Sequence, residues 1–294
     1  MKQGARDLIV FRIGWFSTGR DEAARELLGI VVEHISKGKI SAEIRYVFCN
    51  RERGESLESD RFIQFVETLE IPLFFFSSMN FLPSLRKKDL ETWRILYHQE
   101  IERRICDFPV DTVVLAGYML IVSPPFCEAF SIINLHPAAP NGPAGTWQEV
   151  IWQLIKRRAS ETGVMMHLVT KDLDKGPPIT FVTFPIRGPD FDPLWGDFDS
   201  KLKRDSFHKL VKKEGEGNLL FKEIRKHGVR RELPLIVMTL KALSEGRVRI
   251  EKGKVVDEKR REIEGICLNK EVEEYLEKSK CQNPCLSGRQ ANAK

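Results

Sequence analysis

The sequence predicts an α/β fold with a mostly parallel central sheet flanked by helices, and three observations predict it. Strand-like and helix-like segments alternate from the start of the chain. The strand-like segments are near-continuous apolar runs, such as Thr112-Val113-Val114-Leu115, which suit a sheet covered on both faces. Several runs end in glycine or in polar residues, and in sheets of this kind sites gather at the carboxyl ends of strands.

The first strand is read over residues 8–16. Asp21 to His34 follows with helical periodicity, placing Ala24, Leu27, Leu28 and Val31 on one stripe. Residues 41–49 form the second strand, Arg61 to Leu69 a helix, and residues 71–76 a short buried strand. Leu90 to Ile105 is helical, and residues 111–117 are a strand ending in glycine. Ile132 to His136 comes next and stops at Pro137, which has no N–H to give to a ladder. A helix from Trp147 to Lys156 precedes strands at 163–170 and 179–186. Residues 187–206, rich in Asp, Pro, Gly and Trp, read as a loop or inserted lid. Helices at about 207–226 and 231–245 follow, the second ended by Gly246, and then a hairpin turning at Lys252-Gly253. Beyond residue 257 the chain is charged and sparse in apolar residues; 269–279 reads as one helix and 288–294 as disordered.

A chain of 294 residues, 42% apolar and 30% charged, can bury a full core and has the make-up of a soluble globular protein. The apolar run near the amino terminus is broken by Arg12 and lacks a small-residue cleavage site, so no signal peptide is expected. No window approaches the length of a membrane span, and a cytoplasmic location is expected. Cys49, Cys106, Cys127, Cys267, Cys281 and Cys285 are scattered, which reads as reduced thiols; no metal site is expected at the Cys281–Cys285 pair, because no second pair lies near it. The net charge of +5 sits largely in runs such as Arg86-Lys87-Lys88, the usual mark of a solvated face. Nucleic-acid binding gains no motif support.

The stretch Ile132-Ile133-Asn134-Leu135-His136-Pro137 is where chemistry enters. Strand side chains alternate, so Asn134 and His136 share a face. Spacing alone leaves open a satisfied polar pair and a functional site. Asp174, in a loop closed by Gly176-Pro177-Pro178, reads on its own as a turn-capping aspartate. His34, His98, His208 and His227 have no motif around them and read as surface residues.

Four segments in order resemble the folate-dependent formyltransferase family, over roughly residues 8–256. They are Val47-Phe48-Cys49-Asn50-Arg51, Val113-Val114-Leu115-Ala116-Gly117-Tyr118-Met119, Asn134-Leu135-His136-Pro137 and Leu173-Asp174-Lys175-Gly176-Pro177. The resemblance implies a Rossmann-like formyltransferase fold. It also implies transfer of a formyl group from the co-substrate 10-formyltetrahydrofolate to an amine, glycinamide ribonucleotide in the purine-pathway members. The family's catalytic trio carries over to Asn134, His136 and Asp174, and His167 matches a family histidine behind them. An Asn amide and a charged imidazole can both donate to a tetrahedral oxyanion, and a nearby carboxylate favours the charged ring. The folate is expected against Met119, Leu120, Val122 and the loop with Asp172, and the acceptor's phosphate at Ser17, Thr18, Gly19 and Arg20.

The chain also departs from the family pattern. One glycine, Gly19, stands where the phosphate loop has Gly-x-Gly-Ser-Asn, and Asp21 beside it fits as a helix cap. Leu120 stands where the family commonly has Arg. The segment from Ala138 to Trp147 is short and glycine-rich, and near Gly228-Val229-Arg230 no Glu matches the family's ribose-binding acid. Residues 1–256 are thus expected to form the formyltransferase domain, with 187–228 as an insertion or lid and 257–294 as a charged tail. The acceptor stays open between glycinamide ribonucleotide, a sugar nucleotide and an aminoacyl-tRNA. A non-catalytic folate-binding module is the alternative of another kind.

Overall fold

A computed structural model describes residues 10–282. The chain runs β1 (Phe11–Ser17), α1 (Glu22–Ser36), β2 (Ala42–Cys49), α2 (Leu57–Thr68), β3 (Leu73–Phe75), α3 (Pro83–Lys88), α4 (Leu90–Ile105), β4 (Thr112–Leu115), α5 (Pro124–Ala129) and β5 (Ile132–His136). It continues through α6 (Trp147–Lys156), β6 (Glu161–Leu168), β7 (Pro178–Pro185), α7 (Asp192–Leu202), α8 (Phe207–Glu214) and α9 (Leu219–Ser244). A hairpin of β8 (Val248–Glu251) and β9 (Lys254–Asp257), then β10 (Ile266–Cys267) and α10 (Asn269–Gln282), complete it. Two compact units interleave along this path: residues 1–134, 168–177 and 240–263 form the first, and 135–167, 178–239 and 264–294 the second.

In the first unit the strands lie in the order β5-β4-β1-β2-β3, every neighbouring pair parallel. Alternation along β1 and β2 sends Phe16 and Phe48 into an aromatic layer with Trp93, Tyr97, Tyr118 and Phe126. Trp15 and Val47, also buried, point to the other face, and α1 and α2 pack on β2. The aromatic layer is dense: Trp93 and Tyr97 stack at 5.0 Å, and Phe16 meets Tyr118 edge-on at 5.5 Å. Asp21 caps α1 through Ala24 N, and Asp89 caps α4 through Thr92 N, each worth about 1 kcal/mol. The β8–β9 hairpin belongs to this unit and turns at Lys252 and Gly253, as the sequence predicts.

In the second unit the strand order is β10-β7-β6, with β6 and β7 antiparallel and β10 parallel to β7. Helix α6 opens on a reciprocal cap between Thr146 and Glu149. Residues 187–206, read from sequence as a loop, contain helix α7. Pro193 lies in the first turn, where its missing N–H is harmless, and Trp195 and Phe198 bury one face. The two helices expected over 207–245 divide earlier, at Gly215–Gly217, and α9 runs 26 residues with Pro234 inside it. Helix α10 lies against β7, with Thr183 N donating to Asn269 Oδ1 at 2.8 Å and Arg231 paired to Glu273 at 2.6 Å. The segment 288–294 and Cys285 lie outside the described residues. Among the described residues, no helix is long and apolar enough to cross a membrane.

Candidate active site

The turn after β1 is built inward. Ser17 and Thr18 are buried, and the backbone turns at Gly19 with φ +59°. Ser17 Oγ accepts from Gly19 N at 3.1 Å. Thr18 Oγ1 accepts from Met119 N at 2.9 Å and donates to Asn50 Oδ1 at 2.7 Å. A threonine hydroxyl has one proton, so the Thr18 side chain, expected on a phosphate, is engaged with the protein instead. Arg20 is the exposed residue of this turn, and its guanidinium lies 3.4 Å from the carboxylate of Asp21.

The next segment leaves β4 at Gly117 and alternates between core and solvent. Tyr118 and Val122 are buried, Leu120 packs half-buried on the aromatic layer, and Met119 and Ile121 are exposed at 54% and 44%. Beneath it lies His98, which the sequence reading placed at the surface and the structure buries at 1% exposure. Its Nδ1–H donates to Arg94 O at 2.8 Å, so Nε2 is the acceptor that faces Tyr118 Oη at 3.5 Å. Burial pushes the His98 pKa down to about 4 and the Tyr118 phenol up. His34 is buried in the same manner, its ring on Ile30 O at 2.8 Å, whereas His208 is exposed and His227 half-buried. Helical periodicity, not motif, decides which of these histidines face the core.

The loop 169–177 is pinned at both ends. Val169 N donates to Ile132 O at 2.7 Å, and Leu168 N to Pro177 O at 3.0 Å. Gly176 lies so close to the preceding strand that a Cβ there would come within 1.7 Å of Leu168 O. The turn inside is held by Lys175 N and Thr170 Oγ1, both donating to Asp172 O at 3.2 Å. Asp172 is exposed, and Asp174 is half-buried with φ +55°, a left-handed conformation that such a constrained turn enforces. Leu173 between them is 54% exposed. Ile121 and Leu173 are thus large apolar side chains left exposed beside the positions that the sequence assigns to folate. A cavity of about 500 Å³ opens between α5 and the start of this loop, with walls from Cys127, Phe130, Val169, Lys171 and Ile250.

Strand β5 carries Asn134 and His136. Asn134 is half-buried opposite Leu115 of β4, and the first unit ends with it. His136, in the second unit, is buried, and its Nε2 lies 2.9 Å from Pro143 O. A carbonyl only accepts, so Nε2 bears a proton and the ring plane is set. Pro143 is delivered by a tight turn in which Gly142 N donates to Ala139 O at 2.9 Å; a Cβ at Gly142 would lie 2.7 Å from that oxygen. The buried ring of His167 meets His136 edge-on at 5.9 Å, which places the expected supporting histidine beside the expected catalytic one. Among the described residues no three His, Cys, Asp or Glu side chains converge as a metal-ligand group.

The model of the formyl transferase family matches residues 22–190. The chain is 28% identical over 162 residues to the phosphoribosylglycinamide formyltransferase of Escherichia coli, covering 54% of this chain and 68% of that one. It is 32% identical over 145 residues to the formyltetrahydrofolate deformylase of Bacillus subtilis, covering 48% of this chain and 41% of that protein. The solved phosphoribosylglycinamide formyltransferase of Coxiella burnetii shares its fold, with a TM-score of 0.60 at 18% identity, covering 87% of this chain and 98% of that one. With more than half of its length matched by the family model, the chain belongs to the formyl transferase family.

Proposed function

We propose that the chain transfers the formyl group of 10-formyltetrahydrofolate to an amine, with glycinamide ribonucleotide as the acceptor in purine synthesis in the cytoplasm. The observation that carries this reading is the end of β5, where Asn134 and a His136 ring oriented by Pro143 follow each other on one strand. When the amine attacks the formyl carbon, Asn134 and the His136 ring donate to the developing oxyanion. Asp174 is assigned to moving the amine's proton through water. His167 keeps the His136 ring in place.

The folate is assigned to the segment Met119, Leu120 and Val122 and to the loop at Asp172, with Ile121 and Leu173 as further apolar contacts. The turn Ser17-Thr18-Gly19-Arg20 is assigned to the acceptor's phosphate, and Arg20 is the side chain in it with access to solvent.

A second reading, hydrolysis with water as the acceptor, is favoured by one observation. The turn after β1 directs its hydroxyls inward and pairs Arg20 with Asp21, so a phosphate bound there competes with Asp21 for Arg20. The similarity to a deformylase points the same way. Release of tetrahydrofolate from 10-formyltetrahydrofolate, measured with and without amine, separates the two. Release that depends on glycinamide ribonucleotide and yields its formyl product supports transfer. Equal release without amine, with formate formed, supports hydrolysis. Release driven instead by a sugar nucleotide or an aminoacyl-tRNA moves the acceptor assignment. Folate binding without any turnover leaves a binding module.

A further inference from the structure

Thr18 is saturated in a way that the acceptor assignment does not use. Its N–H donates to Gly117 O at 3.1 Å, its carbonyl accepts from Cys49 Sγ at 3.7 Å, and its hydroxyl accepts from Met119 N and donates to Asn50. Asn50, 3% exposed, passes the chain on by donating from Nδ2 to Ser78 Oγ at 3.2 Å. Met119 N can only donate, so the Thr18 proton must go to Asn50 Oδ1, which fixes the amide with Nδ2 toward Ser78. The hydrogen bonds therefore run in one direction, from Met119 through Thr18 and from Asn50 to Ser78. They tie the ends of β1, β2 and β4 and the segment after β3 to one another.

We propose that Thr18 and Asn50 are positioning residues for the folate segment: the Thr18 hydroxyl, braced by Asn50, holds the Met119 backbone where the folate needs it. The proposal rests on the assignment of folate to Met119–Val122. It has an unexpected consequence, because a residue of the turn assigned to the acceptor then governs folate affinity. The Met119 side chain is 54% exposed, so at this residue the anchor is the backbone N–H bond to Thr18, which adds to the Thr18 N–H bond on Gly117 O and the buried Tyr118 ring. Thr18→Val keeps the shape and removes both hydroxyl bonds. It leaves Met119 N–H and Asn50 Oδ1 without their partner in a buried site, and the segment must shift to recover one.

The test is calorimetric titration of folded protein with a deaza analogue of 10-formyltetrahydrofolate, without acceptor, together with melting temperatures. Thr18→Val should weaken binding about tenfold. Thr18→Ser, which keeps the hydroxyl, should restore it, and Asn50→Asp should keep most of it because Oδ1 still accepts from Thr18. Arg20→Ala, on the same turn, should leave folate affinity unchanged. A Thr18→Val protein that melts lower but binds the analogue as tightly as wild type makes the residue merely structural and overturns the proposal. Equal weakening in Thr18→Ser overturns it as well. If wild type itself does not bind the analogue, the folate assignment has failed, which is a different result. Should Thr18→Val not fold, Asn50→Leu carries the same comparison, because it removes the brace and leaves the Thr18 hydroxyl in place.

Discussion

His98 makes a quantitative prediction about acid stability. The ring lies at 1% exposure beside Tyr118 and Phe126, with Nδ1–H on Arg94 O. Burial disfavours the charged ring and lowers its pKa from 6.5 to about 4. The folded protein keeps the ring neutral where the unfolded chain takes up a proton. The stabilisation is thus complete above a pH of 6.5 and is lost as the pH falls toward 4. Linkage puts the loss at about 2 kcal/mol by about pH 5 and about 3 kcal/mol by about pH 4. Carboxylates titrate over the same range, so the informative quantity is the difference between wild type and His98→Leu. The variant loses the Arg94 bond and some packing, a deficit that does not depend on pH. Urea unfolding followed by far-UV circular dichroism at about pH 7, 6 and 5 gives both stabilities. The variant's deficit should narrow by about 2 kcal/mol between about pH 7 and pH 5. A deficit that stays constant over that range would refute a neutral buried ring.

Five further substitutions address the candidate site. Asn134→Ala and His136→Ala should each lower kcat by roughly 100- to 1000-fold with little change in folate Kd; near-normal kcat in a folded but less stable protein would reduce both to structural roles. Asp174→Asn should lower kcat with little change in folate Kd, and an unchanged kcat would remove the carboxylate from the proton's path. Arg20→Ala should raise acceptor KM by about tenfold or more; an unchanged KM removes the phosphate from this turn. Gly176→Ala drives a methyl into Leu168 O, so stability should fall by about 2–4 kcal/mol in thermal melts, with folate affinity reduced alongside it.

Much of the architecture was legible because period and composition agreed. Leu90–Ile105, Trp147–Lys156 and Ile132–His136 appear with the predicted bounds, since each pairs a clear apolar pattern with a definite stop. Helix α7 was not, because Asp192, Pro193 and Gly196 are turn formers by composition. What makes that stretch helical is Pro193 in the first turn and the burial of Trp195, whose Nε1 donates to Ile186 O at 2.7 Å. The interleaving of two units escaped the reading for a related reason: no composition break marks residues 134 or 168, and contacts far apart in sequence define the division. Within the candidate site, Asn134, His136, Asp174 and His167 were visible as residues in a resemblance. The orientation of His136 was not, since it depends on a carbonyl delivered by the turn at Gly142. The partners of the Thr18 hydroxyl were not legible either, because sequence shows a hydroxyl beside a helix start and not the direction in which it points.

The outermost strands have a further consequence. β3 has three residues and β10 two, each with one neighbour in its own unit's strand order. An exposed strand edge is a row of unsatisfied N–H and C=O groups that another chain can extend, and the row grows with strand length. Here β3 follows Pro72 and gives way within a few residues to the Ser77 turn, while β10 passes directly into α10. Each of these two edges offers too few consecutive groups to template a passing strand, so its brevity does what charged guards do on longer edges.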